Sequence, residues 1–133
     1  MDPKTATLAG LPMFAGLDQR SLEAVAVLAD EVSLPAGTVL VREGDPADAF
    51  YVIVKGTVHI ERAGSLVRSM SDGGFLGEIG LLEDRDRSAT AICATACEFI
   101  ELGAFEFGRV MATFPDVRSR VEAAVTRRPH TGE

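Results

Sequence analysis

The sequence is short of basic charge, histidine, cysteine and long apolar runs, and each shortage removes a class of function. Thirteen Lys and Arg stand against twenty Asp and Glu, for a formal net charge of −7 and a pI near 4.8. Duplex DNA and anionic membranes both require a basic face, so no nucleic-acid or membrane partner is expected. The two histidines, His59 and His130, lie far apart, and no His/Asp ligand set accompanies them. That argues against metal-assisted hydrolysis, so neither a metal nor a catalytic residue is expected. Cys93 and Cys97 have no further Cys or nearby His to complete a ligand set, and read as small apolar residues on neighbouring strands. No apolar run approaches the ~20 residues of a membrane span. The opening MDPKTATLAGLPMF lacks the continuous apolar segment of a secretory signal, so the expected location is cytoplasmic. Repeats and low-complexity linkers are missing too, and the 133 residues fit one domain, 1–133, with its core over about 11–128.

Three pattern types fill the remainder. Residues 1–10 read as a loose lead-in, followed by a Leu11–Phe14 turn with Phe14 facing inward. Asp18 suits a helix N-cap, and Leu22, Val25, Leu28 and Ala29 follow at helical spacing, giving an amphipathic helix over about 18–29. From Val32 to Leu102 the chain turns to short β-rich runs punctuated by glycine: 38–42, 49–55, 57–62, 66–70, 89–93 and 97–102. Ala63-Gly64-Ser65 makes a tight hairpin. About seven such strands predict a small antiparallel roll or jelly-roll-like barrel, hence a mainly β, α+β fold. Helical patterning returns over about 104–112 and again from Pro115, a favoured first helical position, to about 128. Val117, Val121, Ala124 and Val125 share one face of that last helix. The stripe leaves two options open, covering its own roll or pairing with a copy, and so a monomer or a weak homodimer.

The stretch Phe75–Thr90, FLGEIGLLEDRDRSAT, interrupts the strands and holds the candidate chemistry. Glu78 and its neighbours read as one helical turn with Gly77 at its mouth, where unpaired N–H groups favour an anion. Glycine permits close backbone approach, a carboxylate accepts from hydroxyls, and Arg87 beside Ser88 suits a phosphate. A small molecule carrying sugar hydroxyls and a phosphate satisfies all three. Taken singly, Arg87 reads as one more solvated charge of the Glu83–Arg87 run, and Glu78 as a helix-starting acid; their spacing is what joins them. Glu83, Asp84, Arg85 and Asp86 read as a solvated connector.

With Gly77-Glu78-Ile79-Gly80-Leu81-Leu82, a short loop and Arg87-Ser88-Ala89-Thr90 in place, the chain resembles the cyclic nucleotide-binding domains, and within them the bacterial catabolite activator type. The likeness extends over roughly 11–128. It implies that Glu78 accepts the ribose 2′-hydroxyl, that Gly77 lets the sugar approach, and that Arg87 and Ser88 hold the cyclic phosphate. Within the same cassette lie Gly80 and Ala89, while Met70, Leu76 and Ile79 match positions lining the sugar and base. Gly74 departs from an acidic residue common at that turn. The resemblance further implies a non-catalytic sensor without a cofactor, its ligand cAMP first and cGMP second, relaying through its C-terminal helices to a protein effector. Two rivals accompany it: a β-roll interaction scaffold that no longer binds nucleotide, and the excised regulatory domain of a channel, kinase or transcription regulator. What caps the base is open, with Arg127, Arg128, His130 and Thr131 within reach.

Overall fold

A computed structural model describes residues 2–127. Two helices lead the chain. In α1 (Pro3–Ala9) the Asp2 carboxylate accepts from the Thr5 N–H at 2.9 Å and Pro3 occupies the first turn. This corrects the expectation of a loose lead-in. Seven residues show no helical period in the sequence, but a cap, a proline and the fully buried Leu8 are enough to dock a short helix. A 3-10 turn at Pro12–Phe14 buries Met13 and Phe14. Next comes α2 (Gln19–Leu28), capped as expected by Asp18, whose side chain accepts from the Ser21 N–H at 2.8 Å.

Eight strands follow: β1 (Asp30–Leu34), β2 (Val39–Val41), β3 (Ala49–Lys55), β4 (Val58–Arg62), β5 (Ser65–Met70), β6 (Phe75–Leu76), β7 (Thr90–Cys93) and β8 (Cys97–Gly103). Between β6 and β7 sits the five-residue helix α3 (Glu78–Leu82), and α4 (Ala104–Thr113) and α5 (Pro115–Arg127) close the chain. The strands form two antiparallel four-stranded sheets, β1-β8-β3-β6 (sheet A) and β2-β7-β4-β5 (sheet B). The fold is mixed α+β as expected, but the two sheets are not closed into a barrel. β1 and β6 were not read as strands. One is a mostly exposed edge strand in which only Val32 and Leu34 turn inward, and the other is two residues long, so neither is long enough to display a clear period.

Sheet A is covered on both faces, which is why β3 reads AFYVIV rather than alternating. Phe50 and Val52 join Ile100, Leu102, Phe107, Val110, Val117 and Val121 in a core beneath the helices. Ala49, Tyr51 and Ile53 turn the other way, into a core between the sheets with Val58, Ile60, Leu76 and Phe99. The stripe on α5 is buried within the chain: Val117 and Val121 are fully covered, and Arg120 Nη1 donates to the Met13 carbonyl at 2.9 Å. Burying each such side chain contributes roughly 1.5–3 kcal/mol, enough to hold α5 on its own roll. At the β4–β5 hairpin, Ala63 (φ 51°) and Gly64 (φ 81°) both take the left-handed conformation that a two-residue turn requires.

Candidate functional site

Burial singles out two charges. Among the described residues the buried polar or charged side chains are Thr5, Glu78 and Arg87, with Glu78 fully covered and Arg87 only 5 % exposed. Removing a carboxylate and a guanidinium from water is costly unless their surroundings compensate.

Arg87 is held by main-chain groups from three places. Its Nη2 donates to the Ala49 carbonyl at 2.6 Å and reaches Asp48 Oδ1 at 3.3 Å, and its Nη1 donates to the Gly77 carbonyl at 3.4 Å. The Arg87 N–H donates to the Asp45 carbonyl at 2.8 Å, while the Gly44 N–H donates to the Arg87 carbonyl at 2.9 Å. The arginine is therefore laced to the 43–48 turn, and its one anionic contact of those named, Asp48, is 83 % exposed at the side chain. Gly77 is demanded by this geometry. Its φ is +98°, and a Cβ there would lie 2.7 Å from Arg87 Nη1 and 2.8 Å from the Ala49 carbonyl oxygen.

These residues surround a small concavity of about 10 Å³ lined by Leu76, Gly77, Arg87, Ser88, Ala89 and Thr90 on the cassette side, and by Val41, Ile60 and Ala91 from sheet B. Small-molecule sites enclose roughly 300–1,000 Å³. This one is far smaller, so its walls stand nearly in contact.

The sequence-derived residues divide between two sides of α3. Leu76, Gly77, Arg87, Ser88 and Ala89 meet at the concavity, and Glu78 begins α3 directly behind Gly77. Ile79 is buried, and Met70 lies in the core between the sheets, in a row with Cys93 and Val58; neither lines the concavity. Gly80 faces away, into a groove of about 500 Å³ between α3 and α4–α5 that also takes in Leu81, Phe107, Met111 and Arg118. A Cβ at Gly80 would lie 2.6 Å from Ala47 Cβ, so its role in the structure is close packing. Helix α3 is a single short turn, too brief to carry much of the dipole expected of it. Glu83 to Asp86 are exposed, with Arg85 Nε 3.1 Å from Glu83 Oε1. The residues that sequence reasoning missed are Asp48, Ala49, Val41, Ile60 and Ala91. They lie in ordinary turn and strand patterns, and only the sheet register brings them to the cassette.

Near Arg87 the field is acidic. Burial, followed by Glu101 and Asp48, pushes the Tyr51 hydroxyl up to about 12. Burial and then Asp30 and Asp48 hold Glu101 above the ordinary glutamate range. Cys93 and Cys97 are buried thiols; burial and then Cys97 push Cys93 up to about 11, and Cys97 Sγ donates to the Thr57 carbonyl at 3.4 Å. Of the residues named for capping the base, Arg128, His130 and Thr131 lie outside the described residues, as does the side chain of Arg127. No helix among the described residues is long and apolar enough to cross a membrane.

Comparison with known proteins places the chain in a family. A family profile described as cyclic nucleotide-binding domain matches residues 31–114. The chain is 31% identical over 119 residues to a cAMP-dependent protein kinase regulatory subunit of Aspergillus niger, covering 88% of this chain and 29% of that protein. It is 34% identical over 100 residues to the cAMP-activated global transcriptional regulator CRP of Escherichia coli O157:H7, covering 71% of this chain and 48% of that protein. The chain thus spans less than half the length of these curated relatives. Among solved structures, a regulatory subunit of a cAMP-independent protein kinase A from Trypanosoma brucei superposes with a TM-score of 0.82 at 20% identity, covering 97% of this chain and 48% of that one. The fold is therefore shared with a protein described as independent of cAMP, and only the site's own chemistry bears on the ligand.

Proposed function

The chain belongs to the cyclic nucleotide-binding domain family, and from that premise we propose that it is a non-catalytic sensor of a cyclic nucleotide. One observation carries the reading: a buried arginine, Arg87, stands at the mouth of a concavity beside Gly77 and Ser88, immediately ahead of the buried Glu78. In this reading the cyclic phosphate takes Arg87 and the Ser88 hydroxyl, and Glu78 accepts from the ribose. Gly77 and Leu76 pack against the sugar. Each hydrogen bond with an ionised partner contributes roughly 1.5–3 kcal/mol, so Arg87 and Glu78 dominate affinity. cAMP is the first candidate ligand, because the curated relatives are named for it, and cGMP the second. No cofactor enters the proposal.

The relay also has a physical route. A phosphate on Arg87 competes with the exposed Asp48 carboxylate for the same guanidinium. The Asp48 carbonyl accepts the Ala104 N–H, at the start of α4, at 3.0 Å. Occupancy of the site is thereby transmitted to the helix pair α4–α5, and the 500 Å³ groove behind α3 gives that pair room to close on the cassette. Ligand shifts this equilibrium only by its differential affinity for the two arrangements. The output is a protein effector bound through α4–α5, or a neighbouring domain where this chain is the regulatory part of a longer protein.

Calorimetry with cAMP and cGMP on the wild type and on Arg87→Leu tests the site. Binding that disappears in a variant that remains folded supports the sensor. Unchanged affinity in the variant overturns the assignment, and a wild type silent towards both nucleotides favours the interaction scaffold.

A further inference from the structure

Helix α4 buries Phe107, Val110 and Met111 against the core and turns the rest of its surface outward. Ala104, Gly108 and Ala112 recur at every fourth residue, so they share one face, and all three are exposed. They form one wall of the groove of about 500 Å³, and Leu81 and Leu82 of α3 stand across from them. A Cβ on Gly108 would meet no atom within 4 Å. Nothing inside the chain therefore asks for glycine in mid-helix, where only proline is a poorer helix former. Next to this wall, Phe105 is 67% exposed, and the guanidinium carbon of Arg109 lies 5.9 Å from its ring centroid. An open groove and an aromatic knob carrying a cation lie side by side on one helix.

Their charges are opposite. On the rim of the groove, Arg85 is matched by Glu83 and Arg118 by Glu122, each at 3.1 Å. That leaves the Asp84 and Asp86 carboxylates without an ion pair among the described residues, and Arg109 likewise has no carboxylate partner among them. An aromatic ring entering the groove meets aliphatic side chains and bare backbone at Gly108, and a guanidinium beside it comes within reach of the rim carboxylates. Because knob and groove are neighbours, a two-fold axis between them lets two copies make both contacts at once. The apolar stripe on α5 offers no such surface, since Val117 and Val121 belong to the chain's own core. We propose that a second copy of this chain occupies the groove in the nucleotide-free protein, each copy inserting its Phe105 and setting its Arg109 against Asp84 and Asp86 of the other. A formal charge of −7 on each copy opposes the approach, so the dimer is weak and depends on these local contacts. The contact goes beyond the sensor reading and stands without it.

Sedimentation equilibrium of the nucleotide-free protein, up to millimolar concentration, tests the proposal. The wild type is expected to show a concentration-dependent equilibrium between monomer and dimer. Phe105→Ser removes the knob and Gly108→Leu fills the groove, and each should raise the dimer Kd at least about tenfold, as the loss of an interface anchor does. Gly108→Leu also improves the helix propensity of α4, so a dimer lost in that variant is not lost through unfolding. Arg109→Glu should weaken the dimer, and adding Asp86→Arg should restore part of it, the coupling expected of a charge pair between copies. Asp84 is left unchanged in that pair because its φ is 50°. A wild type that stays monomeric throughout overturns the second copy as occupant and leaves the groove to a different partner. A dimer that Phe105→Ser and Gly108→Leu leave intact lies on another face and overturns the proposal too. So does a dimer weakened by Arg109→Glu that Asp86→Arg fails to restore.

Discussion

Sheet A divides the molecule into two interiors of different character. Towards the helices, Phe50, Val52, Ile100 and Leu102 meet Phe107, Val110, Val117 and Val121, and no charged side chain is buried in that cluster. Towards sheet B the core begins in the same way, with Ile53, Phe99, Ile60 and Val58, yet ends at Leu76 and Ala89, beside Gly77, Glu78 and Arg87. One interior is closed by apolar contact. The other is left with a mouth where a guanidinium is held by carbonyls and by a carboxylate exposed to water. The difference separates stability from recognition: substitutions on the helix side should change how firmly the protein folds, and substitutions at the mouth what it binds.

Arg87→Leu is the strongest test of that division. Nucleotide affinity is expected to fall at least about 100-fold, while the urea midpoint reports a stability change of no more than about 1–3 kcal/mol, the cost of the carbonyls left without a donor. A collapse of the fold would show that the mouth is structural after all. Phe50→Ala probes the opposite interior. Phe50 is fully buried, with its ring centroid 4.8 Å from that of Phe107 and 5.6 Å from that of Phe75, so the truncation is expected to cost about 3–5 kcal/mol. Measured where the variant is still folded, its nucleotide Kd should remain within a few-fold of the wild type, and a much larger loss would couple the two interiors. Asp48→Ala has a smaller effect of opposite sign. Removing the competing carboxylate should tighten nucleotide binding by about two- to fivefold, the scale of an exposed ion pair. Weaker binding would place Asp48 among the ligand's own supports.

Glu101→Gln carries the smallest expected effect. Burial and then Asp30 and Asp48 raise the Glu101 pKa in the folded protein. The unfolded chain therefore loses this proton first as pH rises, and stability declines between the ordinary glutamate range and the raised folded value. Glutamine removes the ionisation, so the denaturation midpoint of the variant should be flatter with pH over that window. Identical profiles would mean that Glu101 is relaxed by solvent.

Local chemistry was the part legible in the sequence. Asp18 caps α2, Pro115 starts α5, and Ala63-Gly64 turns the β4–β5 hairpin, each because a single residue's hydrogen-bonding or φ preference suffices there. α1 and β1 escaped because a seven-residue helix and a mostly exposed edge strand give too few buried positions to form a pattern. In the site, Gly77, Glu78, Arg87 and Ser88 were found by their spacing. Asp48 and Ile60 were not, since nothing in a turn aspartate or a strand isoleucine announces a partner about thirty to forty residues away.

What the sequence by itself determined is the inventory of the cassette: a glycine that tolerates positive φ, a carboxylate, an arginine and a serine within one stretch. What only the tertiary structure decided is which of those charges leave water and what stands across from them. The solvated-looking loop EDRDR delivers Arg87 to the interior but leaves Glu83 to Asp86 outside. The alignment of three strands places Val41, Ala91 and Ile60 in one row as a wall of the concavity. Burial and register arise from long-range packing, which assigns residues far apart in sequence to one face, and no local propensity encodes that assignment.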